Sequence, residues 1–393
     1  MRLRPDCPLC TSPELTLITE RPNVPVHQNK LYESSADARA ATRGHLKVVA
    51  CLKCGFVFNA AFDLSLMTYD QTYENDQTHS PAFSAHVDGL AHRLLSDGGV
   101  RNSRIVEVGC GKGTFLKSLV QADSGTVGWG FDPAYTGPDK AVDGRVEFVR
   151  SFYDRAYADL APDAVVCRHV IEHVPEPAIL LAEIRQASIG ARVYIETPDV
   201  EWILRNSVIW DFFYEHCSYF SPHSFATAFG RAGFRDVKST LVFGDQYLWV
   251  EATTSSSERG AQTYDPGDIA ELARSYLRKE SEMLARWNDA IESLRKSGPV
   301  VLWGAGAKGV TSASLFDPRA EKLSGVVDLN PRKQGRYIAG SGHEIFSPTE
   351  LKRRGVKSVV LMNPNYLDEI RRLLEAERIN VNIVVEPETA AVQ

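Results

Sequence analysis

Residues 104–133 read RIVEVGCGKGTFLKSLVQADSGTVGWGFDP, and this stretch decides the fold. A short apolar run, Ile105 to Val108, is interrupted by Glu107 and runs into the glycine turn Gly109-Cys110-Gly111-Lys112-Gly113. Phe115, Leu116, Leu119 and Val120 then fall on one face of a helix. A second short strand, Val127 to Phe131, ends at Asp132. Strand, tight turn, helix and strand make the first half of a doubly wound α/β fold. Glycines let a backbone approach a ligand without Cβ clashes, and the helix N-terminus offers unpaired N–H groups. An acid at the end of the second strand can accept both hydroxyls of a ribose.

The turn is spaced G-x-G-x-G, and with its preceding residues reads V-E-V-G-C-G. That form resembles motif I of class I S-adenosylmethionine (SAM) methyltransferases. The resemblance implies that Gly109 and Gly111 border the methionine part of SAM and that Asp132 holds the adenosine ribose. Glu107, Cys110, Gly113, Pro133, Phe152 and Arg168 complete the cofactor-binding candidates. A helix-capping turn in an ordinary α/β domain is the competing reading of the glycines, and Asp132 weighs against it.

At 393 residues the chain exceeds one small core, and two or three domains are expected. An apolar share of 44% and a charged share of 24% are ordinary for a soluble protein. A net charge of −6 without a basic stripe argues against nucleic acid as a partner. No apolar run approaches the ~20 residues that span a bilayer, so no membrane partner is expected. The opening residues, MRLRPDCPLC, lack a signal peptide's apolar stretch, which predicts a cytoplasmic protein.

Four of the seven cysteines form two C-x-x-C pairs, Cys7/Cys10 and Cys51/Cys54. Four thiolates close the tetrahedral set of a structural zinc site, leaving no open position for catalysis. Gly55 permits the tight turn of a zinc knuckle, and the long insertion between the pairs must bridge them, with a helix in its last part. A redox C-x-x-C is the alternative. Cys110, Cys167 and Cys217 are scattered and read as buried fillers.

Residues 56–80 lack a period but are rich in polar and aromatic groups. They read as a binding loop or a linker, with Tyr69, Tyr73, Gln77 and His79 as polar candidates. Pro81 to Leu95 reads as an amphipathic helix. Further strands follow at 146–149, 164–167 and 191–197. Ser151, Phe152 and Tyr153 stand where an adenine would lie. The run His169-Val170-Ile171-Glu172-His173-Val174 follows the fourth strand, so His169 and His173 are near the expected site. His173 is a site candidate, with a packed or capping histidine as the alternative. Residues 211–223, DFFYEHCSYFSPH, concentrate aromatic and ionisable groups. A helix at 224–233, two antiparallel strands turning at Gly244-Asp245, and the polar linker TTSSSERG close the domain.

Apolar positions over 265–297 predict a long amphipathic helix, broken at most once. Val300 to Trp303 then leads into Gly304-Ala305-Gly306-Ala307-Lys308-Gly309, a true G-x-G-x-x-G, with Asp328 ending the next strand. Taken alone, this fits a dinucleotide fingerprint and an NAD-linked oxidoreductase.

The four cysteines, the SAM-type core, Y-E-H-C-S-Y-F and the C-terminal WGAGAKG…VVDLNPRKQG together resemble the sugar C-methyltransferase family. That resemblance implies three parts: a zinc-binding domain over 1–75, a class I methyltransferase core over 76–255, and a linker helix with a Rossmann-like domain over 256–393. It implies SAM and zinc as cofactors and a nucleotide-linked 4-keto-6-deoxy sugar as substrate, methylated next to the ketone. It also implies a C-terminal domain that does not use NAD, in which Lys308, Asp328, Asn330, Lys333 and Gln334 shape the fold or help hold the nucleotide sugar. A monomer or homodimer is expected.

Such chemistry needs a base beside the carbon and a donor or cation beside the oxygen. The family's Tyr-x-Glu-His arrangement implies Glu215 and His216 as site residues, and Tyr73 matches a tyrosine reaching in from the N-terminal domain. Phe213 stands where the family has the first tyrosine. Either Tyr214 or His216 is then the base, or the acceptor is a hydroxyl deprotonated by His216 with Glu215 orienting its ring. A scaffold that no longer binds SAM is the non-catalytic alternative, and the intact Gly109, Gly111 and Asp132 argue against it.

Overall fold

The computed structural model describes residues 3–67, 73–255 and 264–387. Tyr69 and residues 256–260 of the polar linker lie outside them. At the centre, Arg104–Val108 pairs in parallel with Val127–Phe131 on one side and Ala164–Arg168 on the other. Val146–Val149 extends the sheet beyond Val127–Phe131, and Arg192–Pro198 extends it beyond Ala164–Arg168. The antiparallel strands Tyr247–Thr253 and Arg235–Val242 finish one edge, and Lys140–Ala141 the other, giving eight strands. Strand order across the sheet reverses beside Arg104–Val108. The crevice at such a switch point, above the strands' carboxyl ends, is where open α/β sheets bind ligands. Thr114–Ala122 is the predicted helix, and it buries Phe115, Leu116, Leu119 and Val120.

The insertion between the cysteine pairs is mostly strand. Leu15–Pro25 and Arg43–Cys51 form an antiparallel pair, with the short helix Ser35–Arg39 between them. Val57–Asn59 adds a third strand, and Ser218–Tyr219, far along the chain, adds a fourth. The C-terminal part carries five parallel strands in the order Ile345–Phe346, Val326–Val327, Val300–Trp303, Ser358–Leu361, Asn382–Val384. Ile269–Arg295 is one unbroken helix of 27 residues, with neither glycine nor proline to interrupt it. Its Ile269, Tyr276, Trp287 and Ile291 are buried in a core shared with the N-terminal hairpin and the C-terminal sheet.

These parts interlock. Leu31–Tyr32 pairs with Tyr337–Ile338 across the chain. Glu369 accepts from Ser80 Oγ (2.7 Å) and the Ala82 N–H (2.9 Å), satisfying the start of helix Pro81–Ser96. Gln246 and Asn363 exchange two amide hydrogen bonds, at 2.8 and 3.0 Å. Arg21, on the first strand, ion-pairs with Glu280 of the long helix and donates to the carbonyls of Ile209 (2.7 Å) and Phe212 (3.1 Å). Removing one partner of such a largely buried pair strands the other charge. Arg21→Ala is therefore expected to cost about 3–5 kcal/mol in denaturant unfolding.

Among the described residues, no helix is long and apolar enough to cross a membrane.

Candidate active site and metal centre

The four cysteines meet. All are buried, with Cys7 Sγ 3.7 Å from Cys54 Sγ and Cys10 Sγ 3.4 Å from Cys51 Sγ. Sulfurs about 2.3 Å from one zinc ion stand roughly 3.7 Å apart, whereas a disulfide holds them about 2.05 Å apart. The separations fit a zinc site made of four thiolates and exclude two disulfides. Gly55 has φ +72°, and a Cβ there would meet the Pro266 carbonyl at 2.8 Å, so the knuckle requires glycine. The cysteines would hold zinc and stabilise the hairpin, and the closed ligand set leaves the ion no part in the reaction.

The glycines of the SAM-type turn adopt a backbone conformation that favours glycine. Gly109, Gly111 and Gly113 all have positive φ. A Cβ on Gly109 would lie 2.2 Å from Val170 Cγ2, which places the turn directly against the 169–173 segment. Asp132 accepts from the Gly111 N–H (2.9 Å) and the Ala134 N–H (2.8 Å) while staying half-exposed for ribose hydroxyls. Pro133 is exposed beside it, and the Phe152 ring is 78% exposed, free to stack on a flat base.

Glu107 turns inward instead. It is buried and accepts from the Leu116 N–H (3.2 Å), and burial raises its carboxyl to about 7 despite nearby Arg168. Cys110 is buried too, so only its backbone borders the turn. Arg168 lies over the Phe115 ring and donates to Glu196 (2.8 Å).

If Asp132 accepts from the ribose, Asp132→Ala removes a charged acceptor there. Hydrogen bonds to charged groups contribute about 1.5–3 kcal/mol. The expected result is roughly 10- to 150-fold weaker SAM binding by calorimetry, and an unchanged Kd would rule Asp132 out as the ribose ligand.

A cleft of about 290 Å³ lies between the methyltransferase core and the C-terminal part. His173, Glu215 and His216 line one wall; Gly304, Lys308 and Asp328 line the other. Tyr73, Gln77 and His79 of the predicted binding loop form part of its rim. The loop is anchored from both sides, because Glu74 receives Lys112 of the SAM-type turn (3.1 Å) and Arg332 of the C-terminal part (3.3 Å).

Tyr73 donates to Glu215 Oε2 (2.7 Å), and the Gln28 N–H donates to Oε1 (2.9 Å). Burial raises the Glu215 pKa, only partly offset by His173 and these two donors. Both Glu215 oxygens are thus committed to the N-terminal part, and the carboxylate does not orient His216 as expected.

His216 packs edge-on against His173, with ring centroids 4.8 Å apart, and lies 4.0 Å from the Phe213 ring. Among the described residues no hydrogen bond reaches either of its ring nitrogens. Burial, then the nearby His173, His169 and Lys308, hold its pKa well below the ordinary value, so the imidazole is neutral. Burial disfavours charge on His169 as well, but Glu196 and Glu172 outweigh it and hold that group up at about 9.

Tyr214 is not in the cleft. Its hydroxyl accepts from the Asp63 N–H (2.8 Å), and its ring packs on Phe62 and Gly44. The chain turns at Tyr214 and Glu215, so Phe213, Glu215 and His216 line the cleft while Tyr214 faces the N-terminal hairpin. Asp211 and Glu172 also line the cleft, and no motif singles them out. Asp211 ion-pairs with Lys308, joining the two walls.

Residues 82–239 match a family model described as a methyltransferase domain, and residues 267–385 one described as a C-methyltransferase C-terminal domain. The chain is a SAM-dependent methyltransferase with a class I core. Over 399 residues it is 23% identical to C-methyltransferase NovU of Streptomyces niveus, covering 93% of this chain and 91% of that protein. It is also 27% identical over 129 residues to the ubiquinone biosynthesis O-methyltransferase of Yersinia pestis, covering 31% of this chain and about half of that one, 51%. Among solved structures, magnesium protoporphyrin IX methyltransferase of Synechocystis PCC 6803 with bound SAH is 18% identical, at a TM-score of 0.34, covering 48% of this chain and 90% of that one. The resemblance to C-methyltransferases therefore runs through nearly the whole chain, and the C-terminal glycine turn lies within a C-methyltransferase segment.

Proposed function

We propose that this enzyme methylates the carbon next to the ketone of a nucleotide-linked 4-keto-6-deoxy sugar, with His216 as the base. One observation carries the reading: a neutral imidazole, unengaged by any hydrogen bond among the described residues, stands in a cleft walled by both the methyltransferase core and the C-terminal glycine turn. The full-length similarity to a protein named as a C-methyltransferase supports transfer to carbon. Bound SAM supplies an electrophilic methyl group. His216 removes the proton next to the carbonyl, leaving an enolate whose charge spreads onto oxygen. The N-terminus of helix Ala307–Phe316, with Lys308 in its first turn, faces the cleft and suits the anionic diphosphate of the substrate. Lys308→Ala is expected to weaken nucleotide-sugar binding about tenfold or more while SAM affinity stays the same, measured by parallel titrations.

Phe213 favours a second reading. With no phenol at that position, His216 could instead deprotonate a sugar hydroxyl, giving an O-methyl product. Incubation with the 4-keto sugar in D2O, with S-adenosylhomocysteine in place of SAM, separates the two. Enzyme-dependent deuterium uptake next to the ketone supports transfer to carbon. Its absence, with SAM-dependent methylation intact, supports transfer to oxygen.

A further inference from the structure

A second cluster of metal-ligating side chains lies in the cleft, apart from the four cysteines. Ligand atoms of Glu172, His173 and His216 lie within 4.8 Å of one another. Each is set up as a ligand. His173 Nδ1 lies 3.0 Å from the Glu215 carbonyl, which fixes the proton on Nδ1 and leaves the Nε2 lone pair free. A ligating histidine is ordinarily oriented by just such a bond from its other nitrogen. Glu172 has one oxygen held by the Thr197 hydroxyl at 3.0 Å. Its other oxygen, Oε1, is buried and makes no hydrogen bond, its close partner among the described residues being His169 Nδ1, in an ion pair at 3.3 Å. The Glu172 side chain is only 2% exposed, so water does not satisfy that oxygen. His216 completes the set with ring nitrogens that no hydrogen bond among the described residues engages.

We infer that Glu172, His173 and His216 bind a divalent transition-metal ion. Two imidazoles and a carboxylate suit zinc, cobalt or nickel, and three protein ligands leave a coordination position open towards the cleft. Bound there, the ion occupies the His216 lone pair that would take the substrate proton, so it inhibits methyl transfer. This second half rests on His216 being the base.

The test is titration of the full chain, its cysteine-bound zinc retained, with cobalt(II), reading the visible spectrum and the metal count without substrate. One additional cobalt should bind, showing d–d bands but not the intense thiolate-to-cobalt band that exchange into the cysteine site would produce. Loss of even a second-shell partner typically weakens metal binding about 10–100-fold, so Glu172→Gln, which alters a ligand, should cost at least about tenfold. Turnover should fall over the same cobalt range. No second metal at millimolar cobalt, or binding indifferent to Glu172→Gln, overturns the site. Binding that leaves turnover unchanged or raises it overturns the inhibition. Failure of His216 as the base shows separately, as full turnover of His216→Asn without cobalt.

Discussion

Replacing His216 with asparagine is expected to lower turnover by about 10²–10⁴-fold, the contribution of a positioned general base. SAM affinity should not change, because neither the SAM-type turn nor Asp132 is among the residues lining the cleft that holds His216. Asparagine keeps a polar side chain of similar reach but cannot accept a proton at neutral pH. The neighbours are expected to behave differently. Tyr214→Phe removes a hydroxyl bonded to the Asp63 backbone outside the cleft, so it should alter stability slightly and turnover little. Turnover that survives in His216→Asn but collapses in Tyr214→Phe would reverse the assignment. Steady-state kinetics alongside calorimetric SAM titration of both variants decides between them.

The second large effect is expected from Cys51→Ser. Cys51 ends the strand Arg43–Cys51 and is a member of the four-sulfur cluster, so its loss opens the metal site. Structural zinc contributes on the order of 10 kcal/mol to the fold of a small metal-built domain. Losing it should unravel the hairpin rather than merely loosen it. The damage should also spread. Val57–Asn59 pairs with Ser218–Tyr219, and the Gln28 N–H and Tyr73 hold Glu215 from the N-terminal side. Turnover should therefore fall although the metal lies outside the chemistry, while SAM binding in the central sheet persists. Metal analysis should show zinc lost, and hydrogen exchange should show protection lost over residues 3–60. A zinc-free variant with full turnover would show that the N-terminal part does not position the site.

The central motif was legible because its features are local. A strand, a glycine turn, a helix with Phe115, Leu116, Leu119 and Val120 inward, and Asp132 all lie close together in the chain, and the cysteine spacings are equally short-range. What the sequence hid depends on contacts made over long separations. Ser218–Tyr219 is too short to show a period, and its pairing with Val57–Asn59 exists only once the chain has folded back. Glu215 sits beside His216 in sequence, yet its carboxylate is taken by Gln28 and Tyr73, far upstream in the chain. Tyr214 faces away from the cleft because the chain turns at Tyr214 and Glu215, and no period in the sequence marks that turn. Glu172 and Asp211 become notable only when the cleft brings His173 beside His216 and Lys308 against Asp211.

The most direct test of the central claim uses SAM carrying a ¹³C-labelled methyl group, with a nucleotide-linked 4-keto-6-deoxy sugar as acceptor. The account predicts a product whose labelled methyl resonates as an alkyl carbon coupled to a ring carbon next to the former ketone. A labelled methyl at the shift of a methyl ether would contradict transfer to carbon, and no label transfer to any nucleotide-linked keto sugar would contradict the substrate.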